Sequence, residues 1–79
     1  MDRQNVFEGL KESLQLVKPS LDLSKVSEDT RLIGDIGLDS LTIMLLSLAI
    51  ENRFNMKFEG ALTFNTVGDV IDYVMKAAE

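Results

Sequence analysis

The chain has 79 residues, a formal net charge of -5 and neither cysteine nor histidine. That size allows one domain with a thin core. The missing residue types exclude disulfides, thiolate metal sites, and the imidazole base of a Ser-His-Asp or Cys-His centre. The acidic balance opposes binding to a phosphate backbone, so nucleic acid is not an expected partner. No apolar run is long enough to span a bilayer: Leu41 to Ile50 is about half of what is needed. No signal-peptide pattern stands at the N-terminus, where Asp2 and Glu8 interrupt the run. The expectation is a cytoplasmic protein without membrane insertion.

In chain order, Val6, Phe7, Leu10, Leu14 and Val17 recur at steps of three and four, which predicts a first amphipathic helix. Asp2 or Asn5 can cap it, and Pro19 ends it by pushing the preceding residue out of the helical region. From Ser20 to Leu38 the apolar residues Leu21, Leu23, Val26, Leu32, Ile33, Ile36 and Leu38 follow no sustained period. This reads as a long loop tacked onto a core through these side chains, with Gly34 and Gly37 supplying freedom near its end. A second helix is expected from Asp39 or Ser40 to about Phe54, with Asp39 placed well for the positive end of its dipole. One or two turns are expected in Phe58 to Phe64. A last helix opens on Thr66 and Asp69, spaced as a capping box with Asp in place of Glu. Its core stripe is Val67, Val70, Ile71, Val74 and Ala78, with Tyr73 beside it. The fold class is therefore all-α, a bundle of three main helices and one short one, with a long loop between the first two.

The second helix carries two oily stripes. At 100° per residue, Ile43, Ser47, Ile50 and Phe54 fall on one side with Leu46 at the edge. Leu41, Met44, Leu45 and Leu48 fall on the opposite side. A helix that is apolar all round is normally central and buried. Exposed apolar patches on soluble domains mark interaction sites. The wheel leaves both readings of the second stripe open.

The stretch "GDIGLDSLTIMLL" holds the one serine that invites a chemical reading, Ser40. As a nucleophile it lacks a base: there is no histidine, and no lysine stands near it in sequence. As a helix cap it is ordinary. The same stretch resembles the attachment motif of the acyl carrier protein family, an Asp-Ser-Leu signature after an Asp-x-Gly-x pattern. The matching residues here are Asp35, Gly37, Asp39, Ser40 and Leu41. The resemblance extends over nearly the whole chain: the order and lengths of the helices match, "AIENRF" resembles the family's usual end of the second helix, and "TVGDVIDYV" resembles its last helix.

The resemblance implies a single carrier domain over residues 1–79, an acyl-carrier type four-helix bundle. It implies no catalytic residue and no resident metal. A separate phosphopantetheinyl transferase, assisted by magnesium, would place 4′-phosphopantetheine on Ser40. A phosphate there would lie at a helix N-terminus, where free N–H groups and the dipole favour an anion. The arm's thiol would carry acyl groups as thioesters. A monomer would present them to acyl-transferring, condensing or ligase enzymes of fatty-acid, polyketide or related biosynthesis. An aminoacyl or peptidyl carrier of a non-ribosomal-peptide-type pathway would use the same serine and arm. The rival from outside carrier chemistry is an unmodified helical interaction module, against which the intact Asp39-Ser40-Leu41 argues.

The chain departs from the family's best-known bacterial members, whose second helix is strongly acidic. The commonly acidic positions hold Thr42, Leu45, Asn52 and Arg53 here, and only Asp39 and Glu51 are acidic. This departure, with the double stripe, leads to the expectation that Leu41, Met44, Leu45 and Leu48 form an exposed apolar docking face. The family often shelters the acyl chain between its second and third helices. The candidates for that lining are Leu46, Ile50, Phe58, Ala61, Leu62 and Phe64, with an ordinary filled core as the alternative.

Overall fold

A computed structural model describes residues 2–58 and 64–77. Among the described residues three α-helices carry the architecture: α1 (Arg3–Val17), α2 (Ser40–Phe54) and α3 (Val67–Ala77). A single 3₁₀ turn, Leu23–Lys25, lies in the long α1–α2 connection. The all-helical bundle expected from the sequence is what forms. The short helix expected in Phe58–Phe64 falls largely on residues 59–63, outside the described residues, and Ala61, Leu62 and Ala78 lie outside them too.

The helix boundaries follow from local chemistry. Asp2 caps α1, its carboxylate accepting from the Asn5 N–H at 2.7 Å. The helix stops at Val17, two residues before the proline. Asp39 caps α2 by accepting from the Thr42 N–H at 2.8 Å and the Thr42 hydroxyl at 2.7 Å. At the other end Asn55 takes a left-handed conformation (φ 52°) and returns its N–H to the Glu51 carbonyl. Asparagine tolerates this conformation better than most side chains. The capping box before α3 is reciprocal: the Asp69 N–H donates to the Thr66 hydroxyl at 3.2 Å, and the Asp69 carboxylate accepts from the Thr66 N–H at 3.1 Å.

The core is a shared product of helices and loop. Val6, Leu10 and Leu14 of α1, Leu46 and Ile50 of α2, and Val67, Val70, Ile71 and Val74 of α3 are all buried. The loop adds Val26, Leu32, Ile36 and Leu38. It is held by backbone pairing that no local pattern announces. Leu32 N–H donates to Asn65 O (2.9 Å), Val67 N–H to Thr30 O (2.9 Å) and Gly68 N–H to Glu28 O (2.8 Å). The Arg31–Thr66 bridge within this run is antiparallel. Ile33 departs from the expectation for the loop's apolar residues: it is 63% exposed, pointing away while its neighbour Leu32 is fully buried.

Gly9 sets the α1–α2 spacing. A Cβ there would stand 2.5 Å from Phe54 Cζ and 2.8 Å from Arg53 Nε. Next to it Ser13 is buried, and its hydroxyl donates to the Gly9 carbonyl at 3.1 Å, which satisfies it without a partner from another helix. On the surface Arg3 gathers three elements, donating to Glu28 of the loop (2.6 Å) and Asp72 of α3 (2.7 Å) from the start of α1. These two carboxylates push the Arg3 guanidinium still further up from its already high range. The group is exposed, so the network fixes geometry more than it adds stability.

Candidate functional site

Ser40 is the first residue of α2 and is exposed. Among the described residues no side chain or backbone group bonds its hydroxyl. The hydroxyl is therefore open to an incoming reagent, and no basic group among the described residues is hydrogen-bonded to it. The segment that delivers it is braced. Arg31 O accepts from both Asp35 N–H and Ile36 N–H at 3.0 Å, Ile33 O from Gly37 N–H at 3.1 Å, and Leu32 O from Leu38 N–H at 3.0 Å. Gly37 sits at φ 84°, a conformation that strains any residue with a Cβ. Lys18, at the end of α1, donates to the Ile36 carbonyl and ties this turn to the first helix.

The two motif aspartates brace the segment around the serine. Asp35 accepts from the Arg31 N–H at 2.8 Å and pairs with the Arg31 guanidinium at 3.3 Å. That backbone N–H, followed by the guanidinium, holds its carboxyl below the usual carboxylate range. Asp39 is lowered as well, first by the Thr42 N–H and then by the Thr42 hydroxyl. This refines the expectation of an anion seat at the start of α2. The Asp39 carboxylate already engages the N–H groups of the first turn, with the Leu41 N–H also contributing. A phosphate on Ser40 Oγ would share this end of the helix with a fixed negative charge. Like charges repel, and with Asp39 held by its bonds to Thr42 the phosphate would be driven towards solvent.

Below Ser40 the two stripes of α2 separate. Leu46, Ser47 and Ile50 are 2%, 8% and 1% exposed, and Ile43 and Phe54 pack against the core half-buried. Leu41, Met44, Leu45 and Leu48 are 65%, 58%, 48% and 52% exposed. Neither α1 nor the long loop covers this second stripe. Ile33, in the turn that leads to Ser40, is a further exposed apolar side chain that sequence reasoning counted as an anchor. An apolar residue in an aperiodic loop carries no signal of which way it faces.

The polar residues of α2 do structural work. The Glu51 carboxylate accepts from the Phe58 N–H at 2.7 Å, and Arg53 pairs with Glu12 of α1 at 2.6 Å. The described pocket candidates Leu46, Ile50, Phe58 and Phe64 do come together, joined by Leu32 and Val70. The seam between them has a cavity volume of only about 10 Å³, near the minimum for one water. Among the described residues these side chains leave little space between them.

With this geometry in place, the comparisons decide the family. The family model described as "Phosphopantetheine attachment site" matches residues 12–74. The chain belongs to the acyl carrier protein family. The acyl carrier protein of Thermotoga maritima is 36% identical over 76 residues, covering 94% of this chain and 93% of that protein. That of Onion yellows phytoplasma is 38% identical over 73 residues, covering 90% and 95%. That of Clostridium perfringens is 36% identical over 76 residues, covering 94% and 99%. The chain is thus a non-catalytic, phosphopantetheine-bearing carrier whose family works with biosynthetic enzymes. No helix among the described residues is long and apolar enough to cross a membrane.

The residues present fit such an arm. A covalent group needs an exposed hydroxyl on a rigid mount, and Ser40 at the braced start of α2 is that. When bound, the arm supplies a terminal thiol that carries acyl groups as thioesters.

Proposed function

We propose that Ser40 is the residue that bears the 4′-phosphopantetheine arm and that the exposed stripe of α2 is the surface on which partner enzymes dock. The observation that supports this most is the conjunction itself: an unbonded, exposed serine hydroxyl at the tip of a helix whose outer face is apolar and uncovered. Loading is a phosphoryl transfer. Ser40 Oγ bonds to the phosphorus of coenzyme A that bears pantetheine. The pyrophosphate P–O bond breaks, adenosine 3′,5′-bisphosphate leaves, and the serine proton passes to a base of the phosphopantetheinyl transferase. A transferase-bound magnesium ion would offset charge on the leaving phosphate. The chain's own part is to hold the hydroxyl clear of competing hydrogen bonds and to keep the 31–39 turn from moving.

The loaded chain, acting as a monomeric carrier domain, then presents acyl groups to acyl-transferring, condensing or ligase enzymes. Leu41, Met44, Leu45 and Leu48 supply contact area to these enzymes and to the transferase. Because Thr42, Leu45, Asn52 and Arg53 carry no negative charge and Glu51 is turned to the Phe58 N–H, α2 offers little electrostatic steering. Affinity for a partner should therefore be nearly independent of salt. Binding to a cognate enzyme measured from low to moderate ionic strength tests this, and a steep loss of affinity with added salt contradicts it.

A further inference from the structure

The turn that delivers Ser40 is fixed from outside as well as by its own backbone. Its peptide unit between Ile36 and Gly37 is bonded at both ends. The Gly37 N–H donates to the Ile33 carbonyl at 3.1 Å, and the Ile36 carbonyl accepts from the Lys18 ammonium. Among the described residues no backbone N–H bonds that carbonyl, so Lys18 is the group that holds it. The ammonium also lies 3.6 Å from where a Cβ on Gly37 would stand. Gly37 is at φ 84°, and glycine passes between positive and negative φ at little cost. The backbone therefore has most freedom to change direction here, three residues before Ser40.

Lys18 stands on a firm mount. Its N–H donates to the Leu14 carbonyl at 2.8 Å as α1 ends, and its carbonyl accepts from the Leu21 N–H at 3.0 Å. Pro19 follows, its φ locked by the ring. The Gln15 amide donates to the Pro19 and Leu21 carbonyls at 3.1 and 3.0 Å and closes this bend onto α1. The Lys18 side chain is half-buried and lines a groove with Leu21 and Ile36. Asp22 and Asp35 line the same groove but are engaged by Ser24 and Arg31 instead. The ammonium is directed at a neutral carbonyl, and a charged donor makes such a bond stronger than a neutral one would.

We propose that Lys18 is a positioning residue for loading: by holding the Ile36 carbonyl it keeps the peptide before Gly37 from flipping, and so aims the Ser40 hydroxyl at the transferase. The inference rests on the attachment of the arm at Ser40. Lys18 takes no part in the bonds or the proton of the transfer. It acts on geometry, where a misplacement of about 1 Å can cost up to about a hundredfold in rate. Lys18 lies outside the outer stripe of α2, so loss of its ammonium slows transfer within the complex and leaves docking unchanged.

The test loads the full chain in single turnovers, with broad-specificity transferase in excess and coenzyme A saturating, followed by intact mass. The maximal rate reads the transfer step, and the half-saturating transferase concentration reads docking. Lys18→Met keeps a stem of similar length without the charge. Its maximal rate should fall about tenfold, with half-saturation within about twofold of wild type. Lys18→Arg returns a cationic donor and should recover the rate to within about threefold of wild type. Amide exchange gives a local signature: in Lys18→Met the Gly37 and Leu38 N–H groups should exchange about tenfold faster, while those of Leu10 and Val70 keep their protection. A Lys18→Met chain that loads at the wild-type maximal rate, or whose only defect is in half-saturation, overturns the inference. So does a Lys18→Arg chain no faster than Lys18→Met, or exchange that quickens equally at Leu10 and Val70. If wild type itself gains no mass, the attachment at Ser40 is contradicted and the inference falls with it. A loaded wild type beside an unimpaired Lys18→Met removes the role of Lys18 alone.

Discussion

The two faces of α2 are nearly equal in oiliness and opposite in fate. Leu46 and Ile50 are 2% and 1% exposed, whereas Leu41, Met44, Leu45 and Leu48, on the same helix, are 48–65% exposed. Hydrophobicity within the helix does not decide this. The geometry around it does: Gly9 lets α1 approach one flank, and the loop residues Leu32, Ile36 and Leu38 fill the core side. Nothing in the described chain reaches the other flank. The buried face is held by contacts within the chain, while the outer face leaves Leu41, Met44, Leu45 and Leu48 in water. Folding explains the first stripe, and the proposed docking of partner enzymes would explain the second.

The contrast can be attacked in order of expected effect. Ile50→Ala should destabilise the fold by about 2–5 kcal/mol, the range for emptying a closed core site, as measured by urea or thermal unfolding. A loss below about 1 kcal/mol would mean that this face is not tightly packed. Gly9→Ala sets two effects against each other. Helix propensity favours alanine by about 1 kcal/mol. The Cβ that would lie 2.5 Å from the Phe54 ring costs about 1–3 kcal/mol of overpacking. The net expectation is a destabilisation of roughly 1 kcal/mol by overpacking outweighing propensity; an increase in stability would show that α1 and α2 have room to separate.

Acid should loosen the caps before it touches the core. Asp35, Asp39 and Asp69 are all held below the usual carboxylate range, in each case first by a backbone N–H: those of Arg31, Thr42 and Thr66. Their unfolded-state values are higher, so their contribution is fully present above an ordinary carboxylate pKa of about 4 and is lost as pH falls through the lower folded values. Tm should be level from about pH 5 to 7 and fall below about pH 4, with Asp39→Asn showing a shallower fall because asparagine caps without titrating. The smallest effect on stability belongs to the outer stripe. Leu48→Ala should change unfolding free energy by no more than about 0.5 kcal/mol. The same substitution should weaken a cognate enzyme complex by about tenfold. A stability loss like that of Ile50→Ala would erase the distinction between the two faces.

The sequence exposed its helices because their signals are local. Asp2, Asp39 and the Thr66–Asp69 pair act within one turn, and Pro19 stops α1 by sterics alone. The double stripe of α2 was equally legible as a pattern. Its exposure was not legible from the wheel, and was expected only through the departure from the family's acidic second helix, since covering depends on where nineteen loop residues, Ser20 to Leu38, come to rest. Their placement is set by pairings such as Leu32 with Asn65 and Val67 with Thr30, far apart in the chain. Ile33 shows the cost of that ignorance: its composition suggested an anchor and its position makes it surface. The site divided in the same way. Ser40 and its motif neighbours could be read from spacing and resemblance, but the fact that Asp39 already engages the first-turn N–H groups needed three dimensions. So did the meeting of Phe58, Phe64 and Tyr73, whose rings come together only once the chain is packed.

The central claim is that Ser40 bears the arm, and intact mass tests it most directly. The full chain, with Ser40→Ala beside it, is incubated with coenzyme A, magnesium and a broad-specificity phosphopantetheinyl transferase. Wild type should gain the mass of one phosphopantetheine group, and Ser40→Ala should fold as well as wild type and gain none. Unmodified wild-type protein that stays unmodified, or an alanine variant that still gains the group, would contradict the account.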